Sequence, residues 1–206
     1  MRHDWNGGWL RRARALPSPN IGPRLAGVPV DLVVLHSISL PPGEYGGDAI
    51  ERLFTNRLDW SAHPYFETIR GATVSAHFLI RRDGELVQFV STDERAWHAG
   101  ASRWDGREDC NDFSIGIELE GLEGEAFEDP QYAALATLLA SLANRFPIRD
   151  VAGHEHVSPG RKGDPGAGFD WPRLRRLVSS ERLRRRQDCR QACRARPRRG
   201  VSLRQM

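Results

Sequence analysis

Lysine is almost missing from this chain, in which Lys162 stands alone beside 29 arginines. Cysteine occurs three times, too few for the disulfide framework of a small secreted domain, and this favours a reducing compartment. The sequence also has no hydrophobic signal segment near its N-terminus, and no apolar run approaches the roughly 20 residues that cross a bilayer. We therefore expect a cytoplasmic protein with no membrane partner.

Most of the chain also has no net positive charge. Residues 181–206 carry ten arginines and two acidic residues, a net charge of +8. Because the whole chain has a net charge of only +3, residues 1–180 carry −5 and give no reason to expect nucleic acid as a partner. The basic tail has few large apolar residues and is predicted to be disordered. Nucleic-acid binding through the tail alone is retained as an alternative.

The hydrophobic pattern of residues 31–180 predicts one α/β domain, with a mixed central β-sheet flanked by helices. Prolines and glycines in residues 1–30 exclude a long element there and predict an irregular wrap. Strands are predicted at 32–35, 113–119 and 148–152, and a hairpin at 74–81 and 85–90 with a type I′ turn at Asp83-Gly84. Helices are predicted after Asp48, Pro130 and Asp170, and residues 61–71 are predicted to form a loop.

Histidines and an aspartate lie at the ends of predicted strands and in a loop rich in glycine and proline. His36 follows the apolar run 32–35, and the loop 153–166 contains His154 and Asp164. Two imidazoles and one carboxylate suit a catalytic zinc site, because they leave a fourth position for water. Each residue alone also fits a structural role, since aspartate forms turns and histidine hydrogen-bonds at strand ends. This zinc set is therefore a hypothesis, with other histidines as competing ligands: His63, His77, His98 and His156.

Two further residues are candidates for catalysis. Glu118 lies near the end of the predicted strand 113–119, where partial burial raises a carboxyl pKa towards that of a general base. Lys162 is two residues from Asp164 and can stabilise the oxyanion of a tetrahedral intermediate. The alternatives are a solvated glutamate, for which Glu120 serves equally well, and an ordinary surface lysine.

Five segments closely resemble one family of enzymes. They are HSISLPPGEYGG from His36, SAHFLIRRDGE from Ser75, RAWHAG from Arg95, CNDFSIGIELEG from Cys110 and RKGDPG from Arg161. Over residues 5–178 the chain resembles the cytoplasmic anhydromuramyl-peptide amidases of Gram-negative bacteria, which belong to the Amidase_2 family of N-acetylmuramoyl-L-alanine amidases. This resemblance implies the fold that those enzymes share with phage T7-type lysozymes and peptidoglycan recognition proteins.

The resemblance also implies a reaction and a site. One zinc ion would be held by His36, His154 and Asp164, with Glu118 and Lys162 at the positions of the family's catalytic glutamate and lysine. The reaction is hydrolysis of the amide between the lactyl group of 1,6-anhydro-N-acetylmuramic acid and L-alanine of the stem peptide, in cytoplasmic peptidoglycan recycling. The expected partner is therefore a small muropeptide bound by a monomer. Substrate-lining positions are expected at Ser37, Trp97 and His98.

The chain departs from the family's pattern at three positions. Ser37 stands where the relatives usually have asparagine, and Thr73 and Asp109 replace two arginines that contact carboxylates of the stem peptide. Arg103 and Arg107 are the candidate substitutes, so recognition of diaminopimelate is left open. A non-catalytic recognition module of the same fold is the second hypothesis, and the complete set of ligands and catalytic groups argues against it.

Overall fold

The computed structural model describes residues 4–180. In chain order the strands of this part are β1 (Trp5–Asn6), β2 (Trp9–Leu10), β3 (Arg14–Ala15), β4 (Ile21–Pro23), β5 (Leu32–Ile38), β6 (Phe78–Ile80), β7 (Leu86–Gln88), β8 (Glu94–Ala96), β9 (Arg103–Trp104), β10 (Arg107–Glu108), β11 (Ser114–Glu120) and β12 (Asp150–Gly153). The helices are α1 (Ala49–Phe54), α2 (Pro64–Thr68), α3 (Asp129–Arg145) and α4 (His154–Val157), and residues 171–180 are also helical.

Six strands form the central sheet, in the order β12-β5-β11-β6-β7-β3. β5 pairs in parallel with β11 on one side and β12 on the other, and β6 pairs in parallel with β11. The hairpin partner β7 is antiparallel to β6, so the sheet is mixed. With helices packed against it, this architecture confirms the predicted fold class.

Strand β11 divides the molecule into a packing face and a polar face, because neighbouring side chains of a strand point to opposite sides. Ile115, Ile117 and Leu119 enter the main hydrophobic core, where they meet the buried side of α3. The alternate residues of β11 are also buried, yet they include a serine, a glycine and two glutamates. The sheet therefore carries buried polar groups on the face that is turned away from α3.

The amphipathic helix predicted after Pro130 is confirmed as α3. Its buried apolar residues are spaced three or four apart, as a helix packed on one side requires: Tyr132, Leu135, Leu138, Leu139 and Leu142. The predicted helix start after Asp170 is confirmed as well, because the backbone N–H of Arg173 donates to Asp170 Oδ1 at 2.8 Å.

The predicted type I′ turn at Asp83-Gly84 is wrong. Gly84 has a φ of +90°, but Asp83 is not among the residues with positive φ, and a type I′ turn requires both. The N–H of Gly84 donates to the carbonyl of Arg81, and the N–H of Arg81 donates to the carbonyl of Glu85. The hairpin therefore has a three-residue loop that ends in a left-handed glycine, a common alternative.

The prediction of a loop at 61–71 is also wrong. A short 3-10 helix, Trp60–Ala62, leads into α2, which starts with Pro64 in its first turn. Proline favours this position because its missing N–H has no partner there in any helix. Strand β5 is three residues longer than the apolar run predicted, so His36 lies within the strand rather than after it.

The segment before β5 forms four strands of two or three residues each. β3 adds to the edge of the central sheet beside β7, and β4 pairs with β8. The division into a wrap of residues 1–30 and a domain of residues 31–180 stays a prediction. The predicted disordered tail, 181–206, lies outside the described residues. In residues 4–180 no helix is long and apolar enough to cross a membrane.

Candidate metal centre and catalytic groups

Parallel strands bring the candidate residues to one edge of the sheet. In the register of β5 and β11, His36 lies opposite Glu118. In the register of β5 and β12, Leu35 lies opposite Gly153, so His154 follows at the level of His36. Because parallel strands end at the same edge of a sheet, residues far apart in the chain become neighbours there.

Asp164 reaches this edge from the loop that follows α4. The N–H of Glu155 donates to the carbonyl of Asp164 at 2.9 Å, which turns the loop back onto the start of the helix. Nδ1 of His36 then lies 2.9 Å from Nδ1 of His154, and each nitrogen lies 3.2 Å from Oδ2 of Asp164. Within residues 4–180 these three side chains form a group that can hold a metal ion.

The donor chemistry of this group fits zinc. Burial lowers the pKa of His36 to about 4, although the adjacent carboxylate of Asp164 opposes this, so the imidazole is neutral at pH 7. Burial raises the pKa of Asp164, but its contacts with the His154 and His36 imidazoles outweigh burial and hold the pKa well below its usual range. Two imidazoles and a carboxylate match a catalytic zinc site, in which tetrahedral bonds of about 2.0–2.1 Å place ligand atoms roughly 3.3 Å apart.

Glu118 is a buried acid beside this group. It is 8% exposed, and its Oε2 has no hydrogen-bond partner among the described residues. Burial, together with the negative charge of Asp164, raises the pKa of Glu118 well above its ordinary value, and the charge of Lys162 opposes the shift. A carboxyl group with a raised pKa and a free oxygen can accept and return a proton near neutral pH.

Lys162 is exposed, unlike the other candidate catalytic group. Its positive charge lowers the pKa of both His36 and Glu118, which places it within electrostatic reach of the centre. A cation at the mouth of such a site can stabilise negative charge that develops on a bound substrate.

The three predicted substrate-lining residues have different surroundings in the structure. Ser37 is half-buried and follows His36 in β5. Trp97 follows β8, and its indole Nε1 lies beside Gly22 of β4. His98 lies behind His36, with its Nδ1 3.0 Å from Nε2 of His36. Contact of these three residues with a substrate stays a prediction.

The competing histidines do not join the group. His63 caps α2, where its Nδ1 accepts from the N–H of Tyr65. His77 is fully buried, and its Nδ1 accepts from the N–H of Gly116. His156 accepts from the N–H of Gly153 at 2.9 Å. Each of these three imidazoles therefore has a local structural partner instead.

Sequence reasoning missed two supports of the centre. The carbonyl oxygen of Ala99 lies 3.0 Å from Nε2 of His154. The guanidinium of Arg161 donates to the carbonyls of Ala99 and Ala101, at 2.6 and 2.9 Å, and so ties the two loops together. No signal in the sequence marks these contacts, because every residue has a carbonyl and the partners are about 60 positions apart.

The candidate substitutes for the missing arginines are both engaged within the protein. Arg107 donates to Asp31 at 2.9 Å and stacks over the ring of Phe113. Arg103 pairs with Glu108, also at 2.9 Å, on the surface. Neither arginine is held ready for a stem-peptide carboxylate by the contacts that the structure shows.

Comparison with known proteins identifies the family. The model of the Amidase_2 family, N-acetylmuramoyl-L-alanine amidase, matches residues 26–167, which include every residue of the candidate centre. The chain belongs to the Amidase_2 family. The resemblance and the enzyme class expected from the sequence, an N-acetylmuramoyl-L-alanine amidase, are thereby confirmed.

Similar members of the Amidase_2 family carry the name 1,6-anhydro-N-acetylmuramyl-L-alanine amidase AmpD. The protein of Citrobacter freundii is 53% identical over 174 residues, which cover 84% of this chain and 93% of that protein. The protein of Escherichia coli strain K12 is 53% identical over 176 residues, covering 84% of this chain and 96% of that protein.

Solved structures of Amidase_2 members agree. A crystal structure of a selenomethionine AmpD derivative is 54% identical, covers 84% of this chain and 98% of its own, and superposes with a TM-score of 0.81. A complex of the amidase AmiD from E. coli with the substrate anhydro-N-acetylmuramic acid-L-Ala-D-γ-Glu-L-Lys is 26% identical, with a TM-score of 0.54. It covers 77% of this chain and 65% of that chain.

Proposed function

We propose that this protein uses one zinc ion to hydrolyse the amide between 1,6-anhydro-N-acetylmuramic acid and L-alanine of the stem peptide, in cytoplasmic peptidoglycan recycling. The observation that carries the proposal is the triangle of His36, His154 and Asp164 beside Glu118, whose Oε2 has no hydrogen-bond partner within residues 4–180. The names of the similar proteins, and the substrate in the AmiD complex, support the same class of muropeptide.

His36, His154 and Asp164 would hold the zinc ion through Nδ1, Nδ1 and Oδ2. When bound, zinc supplies Lewis acidity, which lowers the pKa of a water molecule and polarises a carbonyl group. The two ligand histidines are 2% and 4% exposed, so the protein limits solvent on the inner side of the site and leaves the outer side for substrate.

Glu118 moves the proton in this proposal. Its Oε2, which has no hydrogen-bond partner in residues 4–180, accepts a proton as the water oxygen attacks the lactyl carbonyl carbon. The same carboxyl group then gives the proton to the alanine nitrogen as the C–N bond breaks, which leaves a carboxylic acid on the sugar and a free amine on the peptide. The raised pKa suits both steps, because the group is a usable base and also a usable acid near neutral pH.

Lys162 supplies positive charge where the carbonyl oxygen becomes negative. Its charge already acts on Glu118 and His36 across the site. Because Lys162 is exposed, its long side chain is free to approach a bound substrate.

The proposal is tested with purified protein and an anhydromuramyl tripeptide, by following release of the free peptide. We expect one zinc per chain, loss of turnover on chelation, and recovery when zinc is returned. Glu118→Gln should lower turnover about 10²- to 10⁴-fold while zinc still binds. His63→Asn, which keeps a helix cap at an unrelated histidine, serves as the control. Full turnover by the metal-free protein, or by Glu118→Gln, would contradict the proposal.

The alternative hypothesis, a non-catalytic recognition module, predicts no release of peptide in the same assay. Such a module binds the muropeptide without releasing peptide, whatever metal is present. The match to a family of amidases disfavours such a module. So does the buried Glu118, whose Oε2 has no hydrogen-bond partner among the residues that the structure describes.

A further inference from the structure

We propose that His98 and Ser114 are positioning residues that fix the tautomer of His36, so that Nδ1 of His36 presents a lone pair to the metal centre. This inference rests on the proposed function, because it concerns a ligand of the proposed zinc ion. It assigns His98 a place behind the metal ligand, in addition to the substrate contact expected from the sequence.

The hydroxyl group of Ser114 has only one proton to donate. Ser114 Oγ lies 2.5 Å from the carbonyl oxygen of Cys110, which can only accept, so the hydroxyl donates its proton there. Ser114 Oγ also lies 3.2 Å from Nε2 of His98. With its own proton committed, Ser114 must accept in this second bond. Nε2 of His98 therefore carries a proton.

The tautomer of His98 in turn determines that of His36. No hydrogen bond joins His98 to a carboxylate in residues 4–180, so a neutral ring with a bare Nδ1 is the form that its contacts favour. Nδ1 of His98 then accepts from Nε2 of His36, 3.0 Å away. A proton on Nε2 of His36 leaves Nδ1 unprotonated, and Nδ1 is the atom that faces His154 and Asp164.

The second histidine ligand is oriented by the next residue of the same loop. The carbonyl of Ala99, which can only accept, lies 3.0 Å from Nε2 of His154, closer than the donor Nη2 of Arg161 at 3.3 Å. The shorter contact favours a proton on Nε2 and leaves Nδ1 of that ring unprotonated as well. The side-chain oxygen of Asn111 accepts from the N–H groups of both His98 and Ala99, at 3.1 and 2.8 Å. Two adjacent residues, held by one asparagine, thus set both tautomers.

A glycine in β11 leaves space for the imidazole of His98. A Cβ atom on Gly116 would lie 2.4 Å from Cγ of His98, so the imidazole packs directly on the strand backbone. The centre therefore holds two unprotonated nitrogens and a carboxylate oxygen within 3.2 Å of one another. Such a set of acceptors is unfavourable unless a cation lies among them.

The test compares two replacements of His98. Asparagine places an acceptor oxygen close to the position of Nδ1, whereas leucine fills similar space without an acceptor. Zinc affinity is measured by competition with a chromogenic chelator on the whole protein. We expect His98→Leu to weaken zinc binding about 10- to 100-fold, the usual effect of losing such a partner, and His98→Asn to restore most of it. His63→Leu, the same change at the cap of α2, should leave zinc affinity unchanged.

A second readout does not depend on zinc or on turnover. In metal-free protein labelled with ¹⁵N, long-range histidine spectra report which ring nitrogen of His36 is protonated. We expect Nε2–H in the parent and a mixture of tautomers in Ser114→Ala, a smaller change that also serves if His98→Leu does not fold. A parent that binds no zinc would overturn the proposed function, while the spectra still decide the tautomer.

Two results would overturn the inference itself. One is Nδ1–H on His36 in the metal-free parent. The other is equal zinc affinity in the parent and in folded His98→Leu, or an equal loss in His98→Leu and His98→Asn, which would reduce His98 to a packing residue.

Discussion

Glu118 is held in an environment that stabilises its protonated form. The side chain is buried, one oxygen has no partner among the described residues, and the carboxylate of Asp164 repels its negative charge. A folded protein accepts such a residue only at a cost in stability, because a buried charge without a partner is unfavourable. Residues kept at such a cost are often those that perform chemistry.

The first prediction is the effect of this residue on stability at different pH values. The folded protein holds the proton of Glu118 more tightly than the unfolded chain does, since burial raises the pKa. The contribution of protonated Glu118 to the free energy of unfolding is therefore fully present below the ordinary glutamate pKa of about 4.3. This contribution is lost as the pH rises through the raised pKa. In chelator-treated protein, Glu118→Gln should have the Tm of the parent near pH 4 and a higher Tm at pH 8. A Tm advantage that is constant across this range would contradict the prediction.

The second prediction concerns the charge of Lys162. Lys162→Met should reduce kcat/KM about 10²- to 10³-fold, the effect of removing one donor from an oxyanion site, whereas Lys162→Arg should retain part of the activity. Because the lysine charge lowers the pKa of Glu118, its removal should also move the acidic limb of the kcat/KM profile to higher pH. Zinc content, measured on the same samples, should stay at one per chain. An unchanged profile in the methionine variant would show that this charge does not reach Glu118.

Strand β11 shows how one element serves two purposes. Its odd-numbered residues Ile115, Ile117 and Leu119 pack against α3, and its even-numbered residues include Glu118 and the glycine that receives His98. Apolar burial on one face holds the strand in place, and the other face then presents polar groups at fixed positions. A shift of the register by one residue would exchange the two faces, so the core also fixes the site.

The third prediction tests the close packing on this strand. Gly116→Ala places a methyl group 2.4 Å from Cγ of His98, and the neighbouring ring cannot move without losing its bonds to His36 and Ser114. We expect a loss of stability of about 1–3 kcal/mol, typical of overpacking, together with weaker zinc binding. Gly47→Ala is the matched control, because the added methyl group meets open space and the φ angle is not positive. Equal Tm values for the two variants would show that β11 adapts easily.

At the scale of the whole molecule, the N-terminal segment contacts the residues that hold His98 in place. The guanidinium of Arg24 donates to the carbonyls of Asn111, Asp112 and Ser114, at 3.1, 3.3 and 2.9 Å. Two of these residues, Asn111 and Ser114, also hold His98. The segment before β5 therefore contributes to the geometry of the centre, although it supplies none of the proposed ligands.

The fourth prediction follows from this connection. Arg24→Met removes Nη1, whose two protons serve all three of these carbonyl groups, so about two hydrogen bonds are lost at roughly 1–2 kcal/mol each. We expect a total loss of about 2–4 kcal/mol in the free energy of unfolding, measured by urea titration, with a smaller decrease in zinc affinity. Arg70→Met is the control, since Arg70 forms an exposed pair with Glu67 on α2 and should change little. A similar, small effect of both changes would mean that the Arg24 contacts add little to stability.

Local signals in the sequence were sufficient for much of the fold. The spacing of apolar residues in α3 and the cap at Asp170 are properties of short segments, and both predictions are confirmed. The turn at Asp83-Gly84 failed, because a glycine after aspartate fits more than one hairpin loop and the strand register selects among them. The prediction of a loop at 61–71 was wrong because proline breaks a helix in its interior but is favoured in its first turn, where Pro64 lies.

The sequence by itself determined the α/β class, the family resemblance and the residue types that a zinc amidase needs. Only the tertiary structure decided that His36, His154 and Asp164 meet within 3.2 Å and that His98 lies behind His36. It also decided that Oε2 of Glu118 has no hydrogen-bond partner in the part of the chain that the structure describes. The physical reason is that hydrogen-bond direction and burial depend on neighbours from distant strands. Those neighbours are set by the register of a parallel sheet, which no short segment of the chain contains.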